Sequence, residues 1–471
     1  MSDYLGGDRA QLRVAVVGAG PAGFHAADAL LAQGARVDIF EQLPAPHGFV
    51  RYGVAPDHQH TKATARLFEK VAEHEAFRYF GNVEVGRDVH VSELRAAYDQ
   101  VLLSVGSPDA RPLGVRGEGL PGSVSSTSFI GWYNGHPHYA GFSPPLDTGR
   151  AVVVGMGNAA LDVARVLMRH PCELEPTDIA ARALESLAQS NVREVMLLGR
   201  RGPAQAAFDL SALRELGELL GVQVGVHDPY GDLRRFDGKD RLDERSFRKL
   251  DYVLRLPRAE ELTAPRRVLL RFFATPAELL ADVDGVVGAV RVERNLLAGE
   301  GARAVARGTG SFEDIPAGLV IRAIGQRGRP LPGVAFDEHT GTVPSFEGRV
   351  LDAQGRAVPR LYVAGWIKRG PTTLAGAKQC ATETVSSMLE DACEPTSSSR
   401  RRSEERGIEA LLAARGVRYV TRDDWRRIDA VERLAGEVAG RVRAKLATTE
   451  EMLAVLDDYQ ASAQSQHASS F

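Results

Sequence analysis

Cysteine is scarce in this chain of 471 residues, which contains only Cys172, Cys380 and Cys393. The three lie far apart, and the sequence has no C-x-x-C pair and no group of four cysteines. This scarcity excludes a vicinal thiol–disulfide relay and a cysteine-ligated iron–sulfur cluster built from this chain alone. Any electrons that the protein receives must therefore leave by another carrier, and we expect no metal site.

Long apolar runs and a strong net charge are also absent. No stretch of about 18 apolar residues occurs, and residues 1–13 lack the basic start and apolar core of a signal peptide. The formal net charge of -3 gives no global attraction to nucleic acid or to a membrane. With 44% apolar and 25% charged residues, the composition is that of a soluble globular protein. We expect a cytoplasmic protein with no nucleic-acid partner and no membrane insertion.

Glycine, in contrast, is placed in two dinucleotide-binding patterns. The first fingerprint, Gly18-Ala-Gly20-Pro-Ala-Gly23, follows the apolar run 14–17. Its first glycine permits a tight turn, the second lets backbone approach a pyrophosphate, and the third position lets helix and strand pack closely. Glu41 follows Gly23 by 18 residues, where a carboxylate can accept hydrogen bonds from ribose hydroxyls. A plain strand–helix turn with an incidental surface glutamate is the alternative.

The second fingerprint, Gly155-Met-Gly157-Asn-Ala-Ala160, follows the apolar run 151–154. At the place that corresponds to Glu41, this unit has Arg200 and Arg201. A ribose 2′-phosphate needs cations where a 2′-hydroxyl tolerates a carboxylate, so the arginine pair predicts NADP rather than NAD. The alternative is that both arginines are ordinary solvated charges. A chain that holds two different dinucleotides is expected to move electrons between them.

The order of the elements indicates that the second unit is an insertion. A late strand at residues 361–365 and a helix that starts near Ala375 would complete the nucleotide-binding domain that begins at residue 14. We therefore predict an α/β fold with two Rossmann-like dinucleotide-binding domains, the first of them discontinuous.

Several strings are longer and rarer than a generic glycine motif. They are Gly48-Phe-Val-Arg-Tyr-Gly-Val-Ala-Pro-Asp-His58, Gly131-Trp-Tyr-Asn-Gly135, Gly199-Arg-Arg-Gly-Pro203 and Gly365-Trp-Ile-Lys-Arg-Gly-Pro-Thr372. Essentially end to end, the chain resembles the adrenodoxin reductase type of ferredoxin-NADP reductase. The resemblance implies an enzyme that passes electrons from NADPH through FAD to a small iron–sulfur protein, which would supply a monooxygenase such as a cytochrome P450.

The resemblance also implies domain limits and cofactor-binding residues. FAD would occupy a discontinuous domain of residues 1–108 and 327–471, and NADP the inserted domain of residues 109–326. The residues expected to hold FAD are Gly18, Gly20, Ala22, Gly23, Glu41, Phe49, Val85, Trp366, Thr373, Leu374 and Ala375. Those expected to hold NADP are Met156, Gly157, Asn158, Ala159, Arg200, Arg201 and Thr373.

Two positions depart from the family pattern. Ala212 stands where the family has a glutamate, which removes one polar NADP contact. Thr373 stands at the last position of a Gly-Pro-Thr-Gly pattern, where flavin and nicotinamide both approach backbone. We expect a threonine Cβ there to crowd this approach or to demand a different backbone angle. Two alternatives stay open: a flavoprotein repurposed for direct redox chemistry on a small molecule, and a nucleotide-binding subunit without turnover.

Two further groups of polar residues are candidates for roles beside the cofactors. Domain closure would bring His58 and Glu215 together, where they could orient the nicotinamide or carry a proton to reduced flavin. A structural interdomain hydrogen bond is the alternative. Arg241, Arg245 and Arg248 would share one face of a helix and could steer an acidic ferredoxin, unless they form only a solvated surface.

Overall fold

The computed structural model describes residues 12–233, 242–299, 301–393 and 407–468. The strands are β1 (Arg13–Val17), β2 (Arg36–Phe40), β3 (Phe77–Phe80), β4 (Gln100–Leu103), β5 (Asp109–Ala110), β6 (Ser123–Ser125), β7 (Arg150–Val154), β8 (Glu194–Leu198), β9 (Val222–Val226), β10 (Arg266–Arg271), β11 (Ala274–Ala281), β12 (Val287–Ala298), β13 (Val305–Pro316), β14 (Leu319–Arg322), β15 (Gln326–Arg327), β16 (Ser345–Phe346), β17 (Arg349–Leu351) and β18 (Ala357–Val363).

The α-helices connect these strands and cover the sheets. They are α1 (Pro21–Leu31), α2 (Gly48–Tyr52), α3 (Gln59–Lys62), α4 (Ala65–Ala72), α5 (Val91–Ala97), α6 (Ser126–Tyr133), α7 (Asn158–Met168), α8 (Pro171–Leu174), α9 (Ala181–Ala188), α10 (Leu210–Gly217), α11 (Glu244–Leu254), α12 (Trp366–Arg369), α13 (Leu374–Cys393), α14 (Ile408–Ala414), α15 (Arg422–Val438) and α16 (Thr449–Ala468). Short 3₁₀ helices occupy Pro137–Tyr139, Pro203–Gln205, Ala259–Glu261 and Gly301–Arg303.

The first large sheet has the strand order β16-β17-β18-β4-β1-β2-β3. The pairs from β18 to β3 are parallel, and the two pairs at the β16 edge are antiparallel. Strand β1 is apolar throughout because both of its faces are buried. Val14 and Val16 belong to one hydrophobic cluster, whereas Ala15 and Val17 belong to another on the opposite face. A continuous apolar run is typical of a parallel strand covered on both sides.

The second large sheet, with the order β6-β14-β7-β8-β10-β9, is parallel at every pair. Its strands lie in sequence between β4 and β16 of the first sheet. Strands β5 and β15 pair with each other where the chain passes from one large sheet to the other. The predicted fold class is therefore confirmed: two Rossmann-like α/β units, with the second inserted into the first.

A third sheet, β11-β12-β13, is antiparallel and packs on one face of the inserted unit. Val290 and Val292 of β12 share a hydrophobic cluster with Val152 and Val154 of β7. This packing fixes the β12–β13 hairpin beside the carboxyl-terminal edge of the second large sheet, where dinucleotides bind in this fold.

A buried group of charges, the interdomain ion cluster, joins the two units. Lys62 of α3 and Lys445 of the C-terminal segment both contact Asp178 Oδ2 of the inserted unit, at 3.0 and 2.8 Å. Burial raises the pKa of Asp178, but the two ammonium groups outweigh it and hold that pKa well below its usual value. Burial lowers the pKa of both lysines. One carboxylate thus compensates two buried ammonium groups.

Within the described ranges, no helix combines the length and the apolar character that a membrane crossing would require.

Candidate cofactor site

The first glycine of each fingerprint occupies a backbone position that only glycine accepts easily. Gly18 has φ +102°, and a Cβ there would lie 2.6 Å from the carbonyl oxygen of Ser104 on the neighbouring chain segment. Gly155 has φ +139°, and its Cβ would lie 2.2 Å from the carbonyl oxygen of Ala323. Both turns are therefore closed by a left-handed residue pressed against the end of the adjacent parallel strand.

The second glycine of each fingerprint borders open space. Gly20 and Gly157 are the N-cap residues of α1 and α7, and neither helix has a side-chain cap. A Cβ on Gly20 would meet nothing within 4 Å, and one on Gly157 would meet only the Ala207 Cβ at 3.9 Å. Such side chains would project into the cavity described below. The two turns thus fit pyrophosphates, which the helix N-termini favour electrostatically.

One cavity of about 1400 Å³ runs between the two units. It is lined by the expected FAD residues Gly18, Gly20, Ala22, Glu41, Phe49, Val85, Trp366, Thr373 and Leu374. It is also lined by the expected NADP residues Met156, Gly157, Asn158, Ala159, Arg200 and Arg201. Gly23 and Ala375 do not line it. Gly23 serves packing instead, because a Cβ there would lie 2.1 Å from the Gly18 carbonyl oxygen, and Ala375 is exposed on the first turn of α13.

Glu41 places a buried carboxylate at the end of β2. Its Oε2 accepts a hydrogen bond from the Ala19 amide at 2.8 Å, and its Oε1 accepts one from the Leu43 amide at 3.2 Å. Burial raises the Glu41 pKa, and these backbone donors offset part of that rise. Each oxygen retains acceptor capacity for a ribose hydroxyl. The local contacts fix the carboxylate before any ligand binds.

Segments from the two ends of the first unit meet at the cavity. A Cβ on Gly365, which precedes α12, would lie 2.7 Å from the Ala22 Cβ of the first turn. The rings of Phe49 and Trp366 have centroids 4.7 Å apart at an interplanar angle of 59°. Trp366 Nε1 donates to the Thr372 carbonyl oxygen at 3.1 Å. Two aromatic residues from distant parts of the sequence therefore form one wall of the site.

Neighbouring strands hold the arginine pair at the other end of the cavity. The Phe273 amide donates to the Arg201 carbonyl oxygen at 3.3 Å, and Asn295 Nδ2 donates to the Arg200 carbonyl oxygen at 2.9 Å. Arg201 Nη2 donates to the Gln205 carbonyl oxygen at 3.2 Å. Both arginines line the cavity after β8, where this fold reads the ribose.

Thr373 directly precedes α13 and caps it. Its Oγ1 accepts a hydrogen bond from the Gly376 amide at 3.1 Å. Thr373 is not among the residues with positive φ, so its backbone angle is one that any residue can adopt. Of the two expectations for Thr373, crowding of the flavin and nicotinamide remains, because this residue borders the cavity.

His58 and Glu215 meet across the two units, with 3.0 Å between Nε2 and Oε2, and neither residue lines the cavity. Behind them, the buried Arg165 guanidinium bonds both carboxylate oxygens of Asp57 and one of Asp162, a residue that lines the cavity. Burial raises the pKa of Asp57, but the bonds to Arg165 and its charge hold that pKa below its usual value. The histidine thus follows a residue that is locked in an interdomain ion pair.

Ala212, Arg245 and Arg248 do not line the cavity. Ala212 lies on α10 and packs against the hydrophobic core of the inserted unit. Arg245 and Arg248 lie on α11, but each already bonds a carboxylate within the chain, Asp209 and Glu244 respectively. Arg241 lies outside the described residues.

Ser104 is a cavity residue that the sequence reasoning missed. Its Oγ donates to the carbonyl oxygens of Val17 and Gly18, which ties the end of β4 to the first turn. The available signal was positional: a polar residue that ends an apolar strand beside β1 must lie at the same sheet edge as the fingerprint.

Both dinucleotide-binding turns open into one cavity, with a carboxylate at one ribose position and an arginine pair at the other. This arrangement defines the class of protein. The protein is a two-domain flavoprotein oxidoreductase with FAD and NADP as cofactors. In agreement, residues 12–201 match the family model described as pyridine nucleotide-disulphide oxidoreductase. The three cysteines, Cys172, Cys380 and Cys393, are free.

Relatives that match nearly the whole chain identify the family. The chain is 42% identical over 466 residues to the NADPH-ferredoxin reductase FprA of Mycobacterium tuberculosis, covering 94% of this chain and 98% of the relative. It is 43% identical over 458 residues to the human mitochondrial NADPH:adrenodoxin oxidoreductase, covering 94% and 92%. The solved structure of M. tuberculosis FprA in complex with NADPH superposes with a TM-score of 0.87 at 40% identity, covering 95% and 99%. The chain belongs to the adrenodoxin reductase type of ferredoxin-NADP reductases.

Proposed function

We propose that this protein takes electrons from NADPH through bound FAD and delivers them to a small iron–sulfur protein. The observation that carries the proposal is the single cavity lined by both fingerprints. The names of the relatives, NADPH-ferredoxin reductase and NADPH:adrenodoxin oxidoreductase, support it. FAD supplies the exchange between a two-electron donor and one-electron acceptors, which nicotinamide by itself does poorly.

The chain supplies binding and orientation. Glu41 would accept hydrogen bonds from the FAD ribose, and the N-termini of α1 and α7 would face the two pyrophosphates. Arg200 and Arg201 would bind the 2′-phosphate of NADP. Phe49 and Trp366 would shape the apolar wall of the FAD site. The pairing of β5 with β15 supports domain limits of 1–108 and 327–471 for FAD and 109–326 for NADP.

One anaerobic experiment tests the activity. The purified protein is mixed with NADPH or with NADH, bleaching of the flavin absorbance is followed, and a ferredoxin with a terminal electron acceptor is then added. We expect fast bleaching by NADPH and ferredoxin-dependent turnover. Bleaching without ferredoxin turnover would favour direct chemistry on a small molecule, and no bleaching would favour a nucleotide-binding subunit.

Two further experiments test the terminal electron acceptor and the cellular location. Addition of a cytochrome P450 to the reconstituted system tests whether the reduced ferredoxin supplies a monooxygenase. The relatives include bacterial reductases and mitochondrial ones, so a cytoplasmic location stays a prediction. Fractionation of the native cells, with detection of the flavoprotein by antibody, tests it.

We infer that His58 and Glu215 form a positioning pair for the nicotinamide. The two side chains come from different domains, retain 31% and 47% of their exposure, and lie 3.0 Å apart. Partial exposure leaves room for a substrate or a water molecule to share the pair. The fixed Asp57–Arg165 ion pair next to it would limit how far His58 can move.

Variants of the pair separate positioning from a purely structural contact. We expect His58→Gln and Glu215→Ala to slow flavin reduction at saturating NADPH, with FAD content and thermal stability nearly unchanged. His60→Gln is the matched control, because His60 is exposed on α3, the short helix that begins directly after His58. Parent-like rates in both variants, with lower thermal stability, would leave only the structural interdomain hydrogen bond.

We also propose that α11 forms part of the docking surface for an acidic ferredoxin. Arg245 and Arg248 have 73% and 67% exposed side chains. Exposed ion pairs contribute little to stability, roughly 0–1 kcal/mol, so these arginines can exchange partners at small cost. Asp209, which Arg245 bonds, is itself hydrogen-bonded to Asn158 of the second fingerprint. The surface therefore lies next to the NADP turn.

Charge reversal tests the docking surface. We expect Arg245→Glu with Arg248→Glu to reduce ferredoxin turnover several-fold at low salt and to have little effect near 1 M salt, where the screening length is about 3 Å. Arg356→Glu is the matched control, since Arg356 is equally exposed and also ion-paired, but lies in the FAD domain. Equal salt dependence in the double variant and the control would remove α11 from the docking surface.

A further inference from the structure

A second cavity, of about 320 Å³, lies beside the arginine pair. It shares Arg200, Arg201 and Thr275 with the large cavity, so the two adjoin at the NADP end. Its other lining residues come from the β12–β13 hairpin and its loop: Glu293, Asn295, Arg303, Ala304, Val305, Ala306 and Gly308. Arg303 is thus a third arginine in the lining of this cavity, and it comes from a distant part of the sequence.

The loop that carries Arg303 is attached to the arginine pair. The buried Gln205 donates from Nε2 to the Gly301 carbonyl oxygen at 2.8 Å. Gln205 ends the 3₁₀ helix that follows Arg200 and Arg201, and Ala304 next to Arg303 is buried. Asn295, 2% exposed, bonds both Thr275 Oγ1 and the Arg200 carbonyl oxygen. The hairpin and the arginine pair therefore form one built surface.

The charges of the second cavity favour an anion. Three arginines line it, and Glu293 is its only acidic lining residue. The Glu293 carboxylate accepts a hydrogen bond from the Gly310 amide at 2.8 Å within the hairpin. Arg303 is exposed and has no ion-pair partner among the described residues. A phosphate dianion is the anion for which several converging guanidinium groups are suited.

We propose that Arg303 is a third cation for the 2′-phosphate of NADPH and a determinant of the preference for NADPH over NADH. The inference rests on the proposed use of NADPH. The β12–β13 loop would contact the 2′-phosphate together with the two arginines that follow β8. A ligand that has the same adenosine but no 2′-phosphate would gain nothing from Arg303.

Calorimetric titration of the FAD-loaded protein with 2′,5′-ADP and with 5′-AMP tests the proposal. We expect Arg303→Ala to weaken 2′,5′-ADP binding about tenfold and to leave 5′-AMP binding unchanged. Arg303→Lys should recover part of the loss, because it restores the charge without the planar fork. The matched control is Arg307→Ala, an exposed arginine of the same hairpin that lines neither cavity.

The outcomes separate this inference from the proposed function. Arg303→Ala with the same 2′,5′-ADP affinity as Arg307→Ala would overturn the inference, as would an equal loss for both ligands. Flavin bleaching by NADPH is measured on the same preparations. If NADPH does not bleach the parent protein and 2′,5′-ADP does not bind it, the proposed function fails as well. If NADPH bleaches the parent and only the Arg303 effect is missing, the inference alone fails.

Discussion

Replacement of Thr373 by glycine, alanine and serine would separate two roles that this residue combines. Its Oγ1 caps α13 through the Gly376 amide, and its side chain borders the cavity at the place where the family pattern has glycine. Loss of a threonine cap to alanine costs about 1 kcal/mol, whereas glycine in its place costs only a few tenths. Serine keeps both the cap and the Cβ but removes the methyl group.

The two roles predict different rankings of the parent and the three variants, one for stability and one for the rate of flavin reduction. For stability, we expect parent and Thr373→Ser to be the highest, Thr373→Gly slightly lower and Thr373→Ala lowest, by about 2–4 °C in melting temperature. For flavin reduction at saturating NADPH, we expect Thr373→Gly to be fastest, because it removes every side-chain atom from the cavity. A misplacement of about 1 Å can cost 100-fold in rate. If crowding displaces the nicotinamide by a fraction of 1 Å, its removal should raise the reduction rate roughly tenfold.

Stopped-flow absorbance measures the reduction rate, and thermal release of FAD fluorescence measures stability. The FAD content of each variant must match the parent for the rates to be compared. A Thr373→Gly protein that is reduced no faster than the parent would refute the crowding argument. The threonine would then act only as a helix cap, and the departure from the family pattern would have no effect on the reaction.

Three other expectations concern charge. Replacement of Arg200 and Arg201 by alanine should weaken NADPH binding about 100-fold and NADH binding little; equal losses in KM for both nucleotides would contradict NADP selection by this pair. Asp178→Asn leaves two buried ammonium groups without a carboxylate and should cost about 3 kcal/mol of stability, measured by thermal unfolding. A second substitution, Lys62→Met, should restore part of that loss, and no restoration would argue against the ion cluster as the cause. Burial lowers the pKa of His47 to about 3. The unfolded state protonates His47 near pH 6.5, whereas the folded state keeps this histidine neutral until about pH 3. The stability of the folded state with neutral His47 is therefore fully present above about pH 6.5 and is lost as the pH falls toward 3. His47→Asn, which tolerates the positive φ of this position, should flatten the fall in melting temperature between about pH 7 and 5, and an unchanged slope would exclude His47 as the source.

Much of the fold could be predicted because its signals are local. The apolar run at residues 14–17 and the glycines after it specify a strand, a left-handed turn and a helix within one short segment. The second fingerprint does the same for β7 and α7. The inserted topology also followed from sequence, because a strand at residues 361–365 had to pair with an earlier unit, and β18 does pair with β4.

The site was less predictable because much of it depends on contacts between distant segments. Ser104 and Gln205 carry no motif, and their positions follow from the pairing of β4 with β1 and from the attachment of the hairpin loop. The basic stripe was predicted from helical spacing, but spacing does not show that Asp209 and Glu244 bond two of its arginines. Thr373 was recognised as a departure, yet its capping of α13 required the structure.

The sequence by itself determined the two nucleotide-binding turns and the identity of the charges that follow them, Glu41 in one unit and Arg200 with Arg201 in the other. These depend on backbone freedom and on charge, both of which belong to single residues. Only the tertiary structure decided that both turns open into one cavity and that Arg303 lines a second cavity together with the arginine pair. Those relations join residues of different domains or of distant segments, and the packing of the sheets and the hairpin sets them.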